Sequence, residues 1–497
     1  YSSEVGISLL GIPANFVLSN LSAGVQASWD AVGGATSYTV LRAEVAGGPY
    51  GVVGSSGSTN FVDSTAVADE TYYYIVIAEF VDGSKSPHSI EASIVRSGSV
   101  KFQVPIELFD RKIGSDATSS RTFQRSMTRI NSNDYDGVTG VFFEVNATNF
   151  EGSSRNVYLV DSGDNVVATI AVPANTSEST RMAVAMSLNI GADTYRIKLD
   201  QTTSSLDVVL NSGRVLINQS DATKTKIYYP LVSSRDSATF DDLMGSIDTT
   251  SSQSYVDLQD RLFFKRETGH LKNIVEYNGW ELEALVSVSS SASGKLVFHD
   301  ESAGEDLLQT ETRFFDSQIQ MANIYLDEGS SYWSSAEEDH LYSLRYRCEY
   351  DCSSGSVSIY KAGIWVKLEN LDKAAVVYRV STAQGFVGGD MDVTSERTLI
   401  DTSLFSNAVI YFQADATDDG SSSLNLSLLE SANESGVGGL SIVPSSTLSF
   451  DTNGRSFMRS AAPISLTSGQ KFMSGMQVIG GNVDLHSSSL IIRVSKP

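Results

Sequence analysis

Short apolar runs that alternate with polar residues, each closed by a turn of Gly, Ser, Asn or Asp, recur along the whole chain, and one ordered set of them returns three times. Val141-Phe142-Phe143-Glu144-Val145 is followed, after a polar turn, by Val157-Tyr158-Leu159-Val160-Asp161. The pattern returns as Trp280-Glu281-Leu282-Glu283-Ala284 with Leu296-Val297-Phe298-His299-Asp300, and again as Ile410-Tyr411-Phe412-Gln413-Ala414 with Leu426-Ser427-Leu428-Leu429-Glu430. The copies also close alike. Tyr195–Leu199 leads to Gly213–Ile217, Leu344–Cys348 to Gly363–Lys367, and Met476–Ile479 to Ser489–Arg493. A period of two residues is that of an extended strand, and almost no segment shows the 3.6-residue period of a helix. The chain is therefore read as all-β.

Eight or so strand-like runs in roughly 120 to 140 residues are the content of a jelly-roll β-sandwich. Three such sandwiches in tandem are expected at residues 99–233, 254–381 and 382–497, with a polar, acidic linker at 234–253. Lys101–Ile106 and Lys226–Leu231 each carry a Pro, which assigns them to sheet edges.

Charge narrows the partners. Of 497 residues, 35 are Lys or Arg and 59 are Asp or Glu, a net charge of −24 with no basic cluster. A nucleic-acid backbone or an anionic membrane surface needs the opposite balance. No run approaches the ~18 apolar residues of a membrane-spanning helix, so membrane insertion is not expected. The sequence begins at Tyr1 without a Met or a basic and apolar leader, as expected of an exported chain with its signal peptide removed. An extracellular or cell-surface location is the expectation.

The first hundred residues carry a second pattern. Ile12-Pro13-Ala14-Asn15-Phe16 precedes Gln26-Ala27-Ser28-Trp29-Asp30, then Ala35–Arg42, Gly47-Gly48-Pro49-Tyr50, Phe61-Val62-Asp63 and Glu70–Ala78. In this order the motifs resemble a bacterial fibronectin type III domain, expected over residues 12–98. The resemblance implies a seven-stranded sandwich with Trp29 as an inward anchor and Tyr72 as the tyrosine-corner residue. Residues 1–11 precede it as an apolar arm in which Val5, Ile7, Leu9 and Leu10 are candidates for adding a strand to a neighbouring subunit. In general style, the three copies are similar to repeat sandwich domains of bacterial surface and secreted proteins.

Candidate chemistry is sparse. Glu144, Glu283 and Gln413 share one repeat position, and Asp161, Asp300 and Glu430 another. Two carboxylates at a defined separation are what glycoside hydrolysis needs, but a position repeated in three copies belongs to the fold, and these are read as solvated strand ends or turns. Ser132–Gly137 and Asp415–Gly420 place oxygen side chains before a Gly, as a calcium loop does, making Asp134, Asp136, Asp415 and Asp419 candidate ligands of a structural calcium. No other cofactor is expected. Trp333 and Trp365 are candidates for stacking on carbohydrate, since Ile364, Val366 and Leu368 take the core face of their strand and leave Trp365 on the other. Cys348 and Cys352 are the only cysteines and are expected to form a disulfide that pins a hairpin end. No Gly-X-Ser-X-Gly elbow, Ser/His/Asp cluster or phosphate loop occurs, so no enzyme is expected. The reading that follows is a non-catalytic extracellular structural protein, a bacterial fibre, filament or layer subunit that self-associates into a homopolymer. The alternative is a carbohydrate-binding adhesin or an accessory module of a polysaccharide-acting system, with a glycan or cell-surface ligand.

Overall fold

The computed structural model describes the chain apart from residues 1–9, 22–23, 68–69, 97–99, 110–112, 115–120, 201–207, 231–247, 266–279, 290–291, 316–319, 327–338, 370, 372, 382–383, 388–391, 394–397, 419–422, 432–439, 452–453, 480–481 and 496–497. It divides into two compact units, one within the first hundred residues and one spanning Lys101–Ser495.

In the first unit, strands Val17–Leu21, Gly24–Ser28 and Asn60–Asp63 form one sheet, and Gly51–Ser56, Ala35–Ala43, Thr71–Phe80 and Ala92–Val95 form the other. Alternation dictates the core, with Val25, Ala27, Tyr38, Val40, Tyr74, Val76 and Ala78 facing inward from the two sheets. Trp29 lies just past its strand, buried, with its ring 5.2 Å from that of Tyr38 and 6.4 Å from that of Phe16. The Tyr72 hydroxyl accepts from Val67 N at 3.1 Å, the tyrosine-corner bond. This unit is a fibronectin type III sandwich.

Among the described residues of this unit, one acid, Asp63, is buried, and it organises a network. Asp63 accepts from Arg42 Nη1 (2.7 Å), the Tyr74 hydroxyl (2.9 Å) and both the backbone N and the hydroxyl of Thr65 (2.9 and 2.7 Å). Burial alone would raise its pKa, but the bonds from Thr65 and Tyr74 and the Arg42 charge together hold it below the usual carboxylate range. A depressed folded-state pKa gives stability that is complete above the unfolded value, near ~4, and lost as pH falls through the folded one. Asp63→Asn is therefore expected to destabilise the unit at pH 7 but to cost less at pH 3. Denaturant titrations of both proteins at the two pH values read the difference, and an undiminished gap at pH 3 would show that the carboxylate charge is not what counts.

The second unit contains three sandwiches of one topology. In the first, the eight main strands are Lys101–Glu107, Arg121–Asn131, Val138–Asn149, Arg155–Val160, Val166–Val172, Thr176–Met186, Ala192–Leu199 and Val208–Ser220. Numbered in that order, one sheet runs 1-8-3-6 and the facing one 2-7-4-5. The second repeats both orders with Lys224–Pro230, Val256–Lys265, Trp280–Val288, Ser293–Asp300, Glu305–Phe314, Gln320–Leu326, Asp339–Tyr350 and Val357–Glu369. The third does so with Lys373–Ser381, Asp392–Val393, Val409–Asp418, Ser423–Ser431, Ser441–Ile442, Gly454–Arg459, Lys471–Ile479 and Asn482–Ser495. All strand pairs are antiparallel, the arrangement of a jelly roll. Two boundaries differ from the sequence reading. Lys224–Pro230 pairs with Val357–Glu369, and Lys373–Ser381 with Asn482–Ser495, so each opens the sandwich that follows it instead of closing the one before. Of the expected linker, the residues from Asp248 to Thr250 also join the second sandwich as a short strand.

The sandwiches close into a ring. Their first strands pack against one another in all three pairings. The Tyr229 hydroxyl, on the first strand of the second sandwich, donates to the Ala375 carbonyl of the third at 2.5 Å. Tyr378 of the third donates to the Gln103 carbonyl of the first at 3.2 Å and to its Oε1 at 2.7 Å. Tyr229 and Tyr378 are register-equivalent, as are Ala375 and Gln103, so one contact is made twice around the ring; at the third corner Ile106 stands in the tyrosine's place. The ends are joined too: Ser406 N donates to the Lys101 carbonyl, Lys101 N to Ser406 Oγ, and Ser406 Oγ to the Ser495 carbonyl. Tyr378→Phe and Tyr229→Phe are each expected to cost about 1 kcal/mol, measured by urea unfolding. Ile106→Phe, lacking any hydroxyl to lose, separates the bond from the ring's bulk.

Candidate functional site

The central strands of each 1-8-3-6 sheet pack on their own sandwich with one face and are covered on the other, so both of their faces are largely withdrawn from water, whereas Ala183 and Ala185 on the sixth strand of the first sandwich stay exposed. In the second sandwich Leu282, Ala284, Ile364 and Val366 line the inner face, while Glu281, Glu283, Lys361 and Trp365 share the outer one. Lys361 Nζ crosses to Thr128 Oγ1 of the first sandwich at 2.6 Å. In the first sandwich Arg214, 1% exposed, lies between Glu107 and Glu144 at 3.6 and 3.4 Å and reaches Thr398 Oγ1 of the third at 3.5 Å. Arg181 Nε donates to the other oxygen of Glu144 at 2.6 Å. In the third, Gln413 Oε1 accepts from Arg459 at 3.1 Å and Arg455 grips Asp415 through Nε and Nη2.

Glu144, Glu283 and Gln413 therefore meet the same surroundings, but not the expected ones. Each is nearly sealed from solvent, at 2%, 2% and 3% exposure. They are not solvated strand ends; a second layer of protein lies where the alternation pattern leaves water. Burial pushes the Glu283 carboxyl up, opposed by the charge of Lys361 and by the bond that Trp365 Nε1 donates to Oε2 at 3.0 Å. Asp161 and Asp300 cap turns, Asp161 accepting from Gly163 N and Asn165 N and Asp300 from Ser302 N and Ala303 N.

The same covering corrects the aromatic reading. Trp365 is 1% exposed, with its ring 4.9 Å from that of Tyr228 and Lys226 Nζ 5.0 Å from its centroid. It has no face free for a sugar. Trp333 lies outside the described residues, as do Val5, Ile7 and Leu9 of the arm, whose Leu10 is half-buried.

The acidic loops serve as joints. Asp136 Oδ1 accepts from Thr223 N and Lys224 N at 2.8 and 3.1 Å, and Oδ2 from the Thr223 hydroxyl at 2.5 Å, at the entry to the second sandwich. Asp134 lies 3.8 Å from Lys367 Nζ of that sandwich. Gly137 has φ 57°, and a Cβ there would stand 2.2 Å from the Ser220 carbonyl, so the glycine is required by strand approach and not by an ion. Asp415 lies within a strand and pairs with Arg455, which removes it from any loop; Asp419 lies outside the described residues. Among the described residues no cluster of three or more potential metal ligands occurs.

Cys348 and Cys352 are bonded. The strands they separate, Asp339–Tyr350 and Val357–Glu369, belong to opposite sheets, so the disulfide staples a crossing between sheets and not a hairpin.

Sequence reasoning missed Arg181, Arg214, Lys361, Tyr229 and Tyr378. For Arg214 the signal was present as a long basic side chain in mid-strand, on the face opposite the core, in a run otherwise free of charge.

These features define an all-β modular protein: a fibronectin type III unit and a body of three jelly rolls sealed by buried polar faces. The first unit belongs to the fibronectin type III family. It is similar to an Fn3-like protein from Clostridium thermocellum, 32% identical over 17% of this chain and 92% of that one, with a TM-score of 0.17. The chain is also similar to the triple jelly-roll fold of an archaeal virus, at 12% identity over 81% of this chain and 92% of that one (TM-score 0.16). A tandem CBM22 pair of Xyn10C from Paenibacillus barcinonensis matches at 11% identity over 50% of this chain and 96% of that one (TM-score 0.17). No protein-family model and no curated protein matches the chain. Among the described residues no helix is long and apolar enough to cross a membrane.

Proposed function

We propose that the chain is a non-catalytic structural protein of the cell exterior, a subunit of a bacterial surface fibre, filament or layer that associates with copies of itself. One observation carries this reading. One polar position common to all three jelly rolls, Glu144, Glu283 and Gln413, is buried and bonded within its own sandwich, on the sheet face from which Lys361 and Arg214 cross to neighbouring sandwiches, so the repeated chemistry is spent inside the body. The acidic surface, at a net charge of −24, keeps such a body from indiscriminate aggregation.

Electron microscopy of the purified full chain tests it. Regular filaments or sheets are the expected result. Dispersed particles that bind an immobilised glycan saturably would replace this reading with that of a carbohydrate-binding adhesin or accessory module, and dispersed particles that bind none would remove both.

A further inference from the structure

Among the described residues, the fifth strands of the three jelly rolls end their 2-7-4-5 sheets and are paired on one side only. An open edge invites another chain, and proteins blunt it with charge, proline or shortness. The second sandwich uses charge: its fifth strand, Glu305–Phe314, carries Glu305, Asp306, Glu311 and Arg313. The third uses shortness, with two fragments, Ser441–Ile442 and Leu448–Phe450, sharing that place. The first uses neither. Its fifth strand is Val166-Val167-Ala168-Thr169-Ile170-Ala171-Val172, seven residues with no charge and no proline, and its one irregularity against Arg155–Val160 falls at the Val166 end.

The geometry points to a second copy of this chain as the occupant of that edge, through antiparallel pairing of Val166–Val172 with itself about a twofold axis at Thr169. Two arguments favour a copy over an unrelated partner. In a chain of net charge −24, this strand is where two copies can approach without setting like charges opposite each other. The strand is also self-complementary in phase. Pairing about Thr169 sets Ala168 against Ile170, both buried, and the exposed Thr169 against its own copy, with Ala171 against Val167. Over Val167–Ala171 the buried and solvent faces of the two sheets then run on together, and the one mismatch, exposed Val166 against buried Val172, falls at the irregular end of the strand; a twofold contact of this kind is closed and specific.

This inference rests on the reading of the chain as self-associating and names the surface. Sedimentation of the full chain across concentration, with Thr169→Lys alongside, tests both. Thr169 is exposed, so the lysine is tolerated by the fold but sets like charges face to face, and a loss of association of roughly tenfold or more is expected. Thr169→Cys is expected to yield a disulfide-linked dimer under mild oxidation, and Ala303→Cys, in an exposed turn of the second sandwich, is not. Association that Thr169→Lys leaves untouched, with no crosslink at position 169, would overturn the edge while sparing self-association; a contact through residues 1–11 would be one such route. A monomeric wild type at every concentration would overturn both.

Discussion

Replacing Arg214 by Ala is expected to destabilise the three-sandwich body by about 3–5 kcal/mol, the cost of leaving a buried charge without its partner. The guanidinium stands between two carboxylates, Glu107 and Glu144, that are themselves sealed from water. Arg181 still answers Glu144 in the variant, while Glu107 loses the ion pair it makes with Arg214. Urea unfolding reads the loss. A triple variant, Arg214→Met with Glu107→Gln and Glu144→Gln, removes the stranded charges and should recover most of it, because a buried ion pair is costly to break and contributes little net stability when intact. A loss below about 1 kcal/mol for Arg214→Ala, the value of an exposed pair, would mean that water reaches the seam.

Trp365→Ala should cost about 3–5 kcal/mol as well, from the cavity left by a large ring. The ring fills the space beside Tyr228, and its Nε1 is a donor to Glu283, so truncation also removes a hydrogen bond from a buried carboxylate. Trp365→Phe keeps most of the volume and loses the donor, which isolates that bond at about 1.5–3 kcal/mol for a charged acceptor. Equilibrium unfolding of both variants gives the ordering. A stable Trp365→Ala protein that has lost affinity for a glycan would contradict the burial and restore the stacking role.

Strand content and repetition were legible because alternation and turn chemistry are local. The three copies aligned on their third and fourth strands, each of which shows its own alternation on either side of a Ser/Gly-rich turn. The ownership of Lys224–Pro230 and Lys373–Ser381 was not legible, since each pairs with a strand more than a hundred residues onward and nothing in its own composition names that partner. Trp365 shows a different limit. Period two correctly places it opposite Ile364 and Val366, but the pattern records only which residues share a face. Whether that face meets water or another sandwich is decided by tertiary packing. Val208–Ser220 carried the hint: it is buried almost without interruption along thirteen residues, as a strand covered on both faces must be, and Arg214 is the polar residue such a strand tolerates only with partners at hand. The oxygen-rich loops show a related limit. Asp136 and Gly137 are demanded by a turn against Ser220 and Thr223, and the same short oxygen-rich sequence suits a backbone joint as readily as an ion.

Ser406 ties the last residue of the third jelly roll, Ser495, to the first of the first jelly roll, Lys101. The second unit is thus a closed cycle cut at an arbitrary place. Gene order ranks the jelly rolls, but their contacts do not, and a circularly permuted chain that joins 495 to 101 and opens between 221 and 223 should fold to the same body. Of the two corners that keep a tyrosine bond, one joins sandwiches that are neighbours in sequence and the other joins the third to the first, so the bond is independent of the covalent link between them.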